Sequence, residues 1–210
     1  MTIKTVPGFK AFCIKNSYAE SYSKKNNIPY SNYLGYLTGL KATSNSNSIK
    51  LTWNKVKGAQ GYKVLKYDFK SKKYVTYKKS STNSLVISNL KSAEGFRFAV
   101  SAYNDKISST TAKVSAATAP KSTSFTVVGG TKKAVLKWKK ADRAKGYRIY
   151  YKTSSNGSWK LLKAVNSKTY SYTRTNLAKG KKYYFTVRPY TVFDGKIYVS
   201  GGVTKSVRIK

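Results

Sequence analysis

Chemistry in this chain would have to come from six carboxylates and one thiol: Glu20, Asp68, Glu94, Asp105, Asp142, Asp194 and Cys13. Paired-carboxylate hydrolysis needs two acids held within about 5–10 Å of each other, and a hard-cation site needs several oxygens converging. The six acids are scattered singly along 210 residues, which leaves little for either. The sequence contains no His, so a nucleophile–His–acid triad, an imidazole metal ligand and a His general base are all excluded. Cys13 therefore has no imidazole to activate it, and with no second Cys it forms neither an internal disulfide nor a thiolate metal cluster. Asn156-Gly157 reads as a hairpin turn rather than a phosphate loop. The expectation is a non-catalytic chain with no cofactor and no metal.

Cations are the abundant functional group. Lys and Arg number 42 against 6 Asp and Glu, a net charge of +36. The excess grows along the chain, from 5 basic and 1 acidic residues in 1–36, to 15 and 3 in 37–119, to 22 and 2 in 120–210. Lys outnumbers Arg 36 to 6. Lys is a hydrated point charge, whereas Arg forks onto phosphates and bases, so this balance favours diffuse attraction to polyanions over base readout. An apolar share of 40% is enough for packed cores, so charge alone does not make the chain disordered.

The elements that would carry these charges come in two copies. Trp53 and Trp138 stand 85 residues apart, and LTWNKVKGAQGYKV (51–64) aligns with LKWKKADRAKGYRI (136–149). Leu90 and Leu177 are offset by 87, as are GFRFAVSAY (95–103) and KYYFTVRPY (182–190). Apolar residues alternate in Ile49-Leu51-Trp53, Ala134-Leu136-Trp138 and Tyr183-Phe185-Val187, the period of a half-buried strand. Turn signals recur at Lys57-Gly58, Asn104-Asp105, Asn156-Gly157 and Asp194-Gly195. This spacing predicts all-β sandwiches, with a border near Thr118-Ala119-Pro120 and domains over 37–118 and 120–210.

These residues resemble tandem fibronectin type III repeats of the bacterial secreted and cell-surface type. The resemblance rests on the strand-borne Trp53 and Trp138, on Gly61-Tyr62 and Gly146-Tyr147, and on a Leu six residues before an aromatic (Leu90 and Phe96; Leu177 and Tyr183). It covers 37–210 and implies two immunoglobulin-like sandwiches of about seven strands. Two departures stand out. Phe96 replaces the corner Tyr in the first copy, removing its hydroxyl bond. Pro189 lies late in the sixth strand of the second, where a bulge or the strand's end is expected. Shifting the offset back once more sets Gly8-Phe9 on Gly95-Phe96 and makes Tyr18–Lys25 a final edge strand. Residues 1–36 thus read as the last two strands of a truncated repeat or as an irregular arm.

The resemblance implies that the third and sixth strands are neighbours. Alternation then puts Tyr147, Ile149, Tyr151, Tyr183, Phe185 and Val187 inward. It gathers Arg148, Tyr150, Lys152, Tyr184, Arg188 and Tyr190 on one outward face, with Thr186 among them. Cations interleaved with rings suit anionic glycans, sugars or single-stranded nucleic acid; outward Lys and Tyr also guard edges and favour strands without binding anything. Trp53 and Trp138 are expected in the core, and Trp159 either packs or stacks on a ligand. No apolar run is long enough for a membrane span. The first twenty residues lack the apolar core of a signal peptide, although a chain starting inside a repeat could have one upstream. The expectation is a monomeric extracellular or cell-surface module, a spacer or adhesive segment held near anionic cell-wall polymers or carbohydrate. The alternatives are an accessory module of a carbohydrate-active enzyme, with the catalytic domain outside this chain, and a non-specific nucleic-acid-binding protein.

Overall fold

A computed structural model describes residues 11–210; Gly8 and Phe9, on which the truncated-repeat register leans, lie outside them. The chain is all-β apart from one short helix. It opens with β1 (Ala11–Ile14), α1 (Tyr18–Lys25) and β2 (Tyr30–Tyr33). The first copy follows as β3 (Lys41–Ser44), β4 (Ile49–Thr52), β5 (Gly61–Asp68), β6 (Lys73–Ser80), β7 (Ser84–Ile87), β8 (Gly95–Tyr103) and β9 (Ala112–Ala117). The second comprises β10 (Phe125–Gly130), β11 (Lys133–Trp138), β12 (Gly146–Lys152), β13 (Lys160–Asn166), β14 (Ser171–Arg174), β15 (Lys182–Phe193), β16 (Lys196–Val199) and β17 (Lys205–Arg208). The chain divides into two compact units, one of residues 1–42, 50–86 and 96–115, the other of residues 43–49, 87–95 and 116–210.

Each copy builds the same pair of sheets. In the first, β3-β4-β7 forms one sheet and β6-β5-β8-β9 the other; in the second, β10-β11-β14 stands with β13-β12-β15-β16, and β17 also pairs with β15. The third and sixth strands are adjacent, and the fourth strand pairs with the third rather than the fifth, so the sheets divide three and four instead of the four and three of the constant-type sandwich. The cause is visible in the alternation. Ile49, Leu51, Trp53, Tyr62, Val64, Phe98 and Val100 are buried in the first copy. Leu136, Trp138, Tyr147, Ile149, Phe185 and Val187 form one cluster in the second.

The repeated Trp and Gly-Tyr residues make one recurring joint. The Trp53 ring centroid lies 5.2 Å from Tyr62 and that of Trp138 lies 5.5 Å from Tyr147. Each Tyr hydroxyl then accepts a backbone N–H six residues upstream, from Val56 at 3.1 Å and from Ala141 at 2.9 Å. The tyrosine end is thus satisfied inside the core, as a buried phenol requires; burial pushes the Tyr147 phenol up in pKa. Glycine is needed beside it because the backbone is crowded. A Cβ at Gly61 would sit 2.8 Å from the Tyr103 hydroxyl, and one at Gly146 would sit 2.9 Å from the Tyr190 ring and closer still to the Val165 carbonyl.

The corner of the sixth strand is closed differently in the two copies. The Tyr183 hydroxyl accepts the Ala178 N–H at 3.2 Å. Phe96 has no hydroxyl, and a different residue holds its corner loop. The fully buried Thr118 donates its Oγ1 hydroxyl to the Lys91 carbonyl at 2.6 Å and accepts the Glu94 N–H at 3.0 Å. We expect Tyr183→Phe to cost about 1 kcal/mol, an ordinary net hydrogen bond. Thr118→Val should cost about 1–3 kcal/mol, because two backbone groups then lose their partner. Urea melts of the two variants check the order; a Thr118→Val loss no larger than that of Tyr183→Phe would contradict it.

Pro189 does not end its strand. β15 runs on to Phe193, and the break falls in its partner: β16 pairs with Tyr190–Phe193, β17 with Lys182–Phe185, and residues 200–204 leave the ladder between them. The Pro189 carbonyl accepts the Ser200 N–H at 2.9 Å, so the missing donor of Pro189 faces this interrupted edge rather than β12.

The expected edge strand at Tyr18–Lys25 is a helix, which corrects the truncated-repeat reading of that segment. Ser17 caps it, its Oγ accepting the Glu20 N–H at 3.2 Å, while a Glu20 carboxylate oxygen accepts the Asn16 N–H at 2.5 Å. This reciprocal pairing follows the Ser-x-x-Glu capping logic. The helix connects β1 to a parallel β2, with Ala11 opposite Tyr30, a pairing that no hairpin could supply. Glu20 also accepts Asn32 Nδ2 at 3.0 Å and ion-pairs with Lys24 at 3.0 Å. The Asn16 N–H leads these partners in holding the Glu20 carboxyl down at about 2, below its ordinary 4.5. A depressed folded value stabilises above the unfolded pKa and is lost as pH falls through the folded one. We therefore expect protection of the Asn16 and Glu20 amides to be full above about pH 5 and to fade between about 4.5 and 2. Hydrogen exchange against pH reads this, and a flat profile in that window would contradict it.

Candidate polyanion-binding face

The second copy places the six expected face residues together. Across β12 and β15, Arg148 stands opposite Arg188, Lys152 opposite Tyr184 and Gly146 opposite Tyr190, with Tyr150 opposite Thr186. Their inward neighbours Tyr147, Ile149, Phe185 and Val187 are fully buried, so the alternation that defines the face holds on both strands. All six are half-buried, because the rings and cations of the face cover one another.

That cover is a ladder of cations on aromatic rings. Arg148 Cζ lies 5.9 Å from the Tyr190 centroid. Arg188 Cζ lies 5.3 Å from Tyr150 and 5.8 Å from Trp159. Lys152 Nζ lies 4.8 Å from Trp159 and 5.8 Å from Tyr184, and Lys182 Nζ lies 5.4 Å from Tyr184. Each such contact contributes about 0.5–1 kcal/mol at an exposed site. The contacts offset a register that would otherwise be unfavourable, since like charges directly opposite cost about 0.2–1 kcal/mol.

Trp159 and Lys182 complete the ladder. Sequence alternation cannot reach Trp159, which stands in the Thr153–Trp159 connection between β12 and β13. Asn156-Gly157 lies inside this connection but is not the two-residue hairpin turn expected of it: the Gly157 N–H donates to the Ser154 carbonyl at 3.3 Å, which centres the turn on Ser155 and Asn156, and neither Asn156 nor Gly157 takes a positive φ. A register shift between Ile149 and Tyr150 interrupts the β12–β13 pairing just before it; such bulges re-aim neighbouring side chains. With Lys152 and Arg188 against its ring, Trp159 packs within the protein.

Thr186 departs from the outward expectation. It sits on the right side of the strand but is fully buried, and its Oγ1 has no hydrogen-bond partner among the described residues. The cover is the backbone of the interrupted edge: a Cβ at Gly202 would collide with Thr186 Oγ1 and lie 3.1 Å from Arg188 Nε.

The first copy carries a smaller counterpart. Arg97 Cζ lies 5.6 Å from Tyr67 and 5.5 Å from Phe69, and Lys113 Nζ lies 5.2 Å from Tyr74. Cys13 is buried, with Sγ 3.7 Å from Ser23 Oγ. Among the described residues no three acids or thiols gather as a metal site would need, and no helix is long and apolar enough to cross a membrane.

Residues 118–196 match the family model of the fibronectin type III domain. This stretch holds β10 to β15, the sandwich that carries the ladder, and the strand order of residues 41–117 repeats it. Among solved structures, the chain is similar to a two fibronectin type-III domain segment from chicken tenascin, with 15% identity, 82% of this chain and 98% of that chain covered and a TM-score of 0.45. It is also similar to the FN1-FN3 domains of chicken CNTN1, with 16% identity, coverage of 84% and 68% and a TM-score of 0.42. No curated protein sequence matches it.

Proposed function

We propose that the chain is a non-catalytic cell-surface module, two sandwiches over 37–118 and 120–210 acting as a spacer or adhesive segment, whose second repeat holds anionic cell-wall polymers or glycans. The observation that carries this reading is the cation ladder on β12 and β15, six aligned side chains extended by Trp159 and Lys182, in the most basic segment, 120–210, of a +36 chain. The rings of the ladder lie against cations of their own protein, so flat stacking of sugars or bases is disfavoured and the charged groups are the recognition elements.

An accessory module of a carbohydrate-active enzyme would recognise neutral sugar through open rings, and a nucleic-acid binder would stack bases on them; neither use suits rings covered in this way. Cosedimentation with isolated Gram-positive walls tests the reading. Binding to intact walls at physiological salt, and its loss from walls stripped of teichoic acid, is the expected result. Equal binding to stripped walls and to duplex DNA would overturn it.

A further inference from the structure

The first copy repeats the ladder with one pair of partners exchanged. By the repeat offsets of 85 on β5 and 87 on β8, Tyr67 and Arg97 take the positions of Lys152 and Tyr184. The cation still lies on the ring, with Arg97 Cζ 5.6 Å from the Tyr67 centroid and Lys152 Nζ 5.8 Å from Tyr184. At the other end of the face Tyr103 takes the position of Tyr190, each opposite the Gly of its Gly-Tyr pair. Lys79 Nζ lies 5.4 Å from Tyr103, where Arg148 Cζ lies 5.9 Å from Tyr190. Lys63, at the position of Arg148, stands opposite Lys79 on β6 and Ser101 on β8. Phe69 and Tyr74 each pack on Tyr67 at 5.1 Å, Phe69 taking Arg97 at 5.5 Å and Tyr74 taking Lys113 at 5.2 Å.

We infer that Lys63, Lys79, Arg97 and Lys113 form a second polyanion-binding face, so that the chain holds one long anionic polymer at two places, one in each copy. The inference rests on the wall-polymer reading above. Lys79 and Lys113 are exposed, so an anionic chain reaches them without stripping them of water. The acid on these four strands is Asp68, and its carboxylate is engaged in the β5–β6 turn, accepting the Lys70 N–H at 2.9 Å and the Ser71 hydroxyl at 2.7 Å. Lys63 opposite Lys79 is a like-charge pairing that a bound anion relieves. The cations are spread along the face, the arrangement that meets successive charges of a polymer rather than one compact anion. Each face lies within one of the two compact units. Once a polymer is held by one face, its capture by the other is intramolecular, and a long flexible polymer meets that condition for any arrangement of the two units.

The test varies the length of the anion at constant change in protein charge. Lys79→Glu with Lys113→Glu removes two exposed cations of the first face. Arg148→Glu with Arg188→Glu does the same to the second. Lys41→Glu with Lys50→Glu, exposed on β3 and β4 in the other sheet of the first copy, is the charge-matched control. Full chains would be titrated with high-molecular-weight dextran sulfate and with a sulfated dextran octasaccharide. Two faces predict that the unmodified chain binds two octasaccharides and that either face variant binds one. Each face variant should also bind the long polymer about tenfold more weakly or worse, as loss of a second attachment point requires, with the control affected far less. A Lys79/Lys113 variant that matches the control on the long polymer, or an unmodified chain that binds one octasaccharide, overturns the second face. Cosedimentation of the unmodified chain with teichoic-acid-bearing walls is the separate readout. A chain that fails to bind walls defeats the wall-polymer reading while two octasaccharide sites can still stand; a chain that binds walls but takes up one octasaccharide defeats the second face alone.

Discussion

Replacing Trp138 by Ala should cost the second sandwich about 3–5 kcal/mol, the usual range for deleting a buried aromatic. The whole stability of a domain this size is about 5–15 kcal/mol, so the variant sits close to unfolding. Trp138 is only 6% exposed and belongs to the cluster with Leu136, Tyr147, Ile149, Phe185 and Val187. Its ring lies against Tyr147, whose hydroxyl accepts the Ala141 N–H. The deletion therefore leaves a cavity and loosens a buried hydrogen bond together. Trp53→Ala should do the same to the first copy, where the Trp53–Tyr62 contact and the Val56 bond are equivalent. Urea unfolding followed by circular dichroism reads both variants; a loss below about 1.5 kcal/mol in either would mean that the Trp–Tyr joint is not what closes these cores.

The second large effect concerns binding. Arg148→Glu with Arg188→Glu should weaken attachment to the anionic wall polymer about tenfold or more, because two cations on one face become two anions that repel the polymer. The control is Lys133→Glu with Lys137→Glu, two exposed residues on β11 in the opposite sheet. It makes the same change in net charge and should reduce affinity far less. The Arg variant also loses its stacking on Tyr150, Trp159 and Tyr190, so a stability loss of about 1–2 kcal/mol accompanies it, and binding should be measured where both variants remain folded. Equal weakening by the two double variants would assign the attraction to overall charge.

The sandwiches were legible because their signal is local and repeated. A Trp, a Gly-Tyr and a period of two recur at one offset, and burial against a single core leaves no other register for them. The six face residues follow from the same alternation once the third and sixth strands are set side by side. Other features depend on contacts that alternation does not encode. Trp159 enters the ladder through a seven-residue connection after a bulge. Thr186 has the outward parity but lies under the Gly202 backbone, at an edge opened where Pro189 lacks a donor. Thr118 takes over the corner of the first copy from the sequence-distant end of β9. Helix α1 carried a readable sign, Ser17 followed three residues later by Glu20, but its mostly polar surface gave no apolar stripe by which to recognise it.

The central claim, that this face attaches the chain to an anionic wall polymer, is tested most directly by a salt series. The logarithm of the association constant for teichoic-acid-bearing walls and for duplex DNA would be followed against the logarithm of salt concentration. A specific face predicts wall binding that survives at about 0.15 M salt after DNA binding has gone, since short-range oxyanion contacts persist where purely electrostatic attachment falls steeply. Wall and DNA binding that decline together and vanish at the same salt would contradict the account, and would leave the charge as a non-specific property of a spacer.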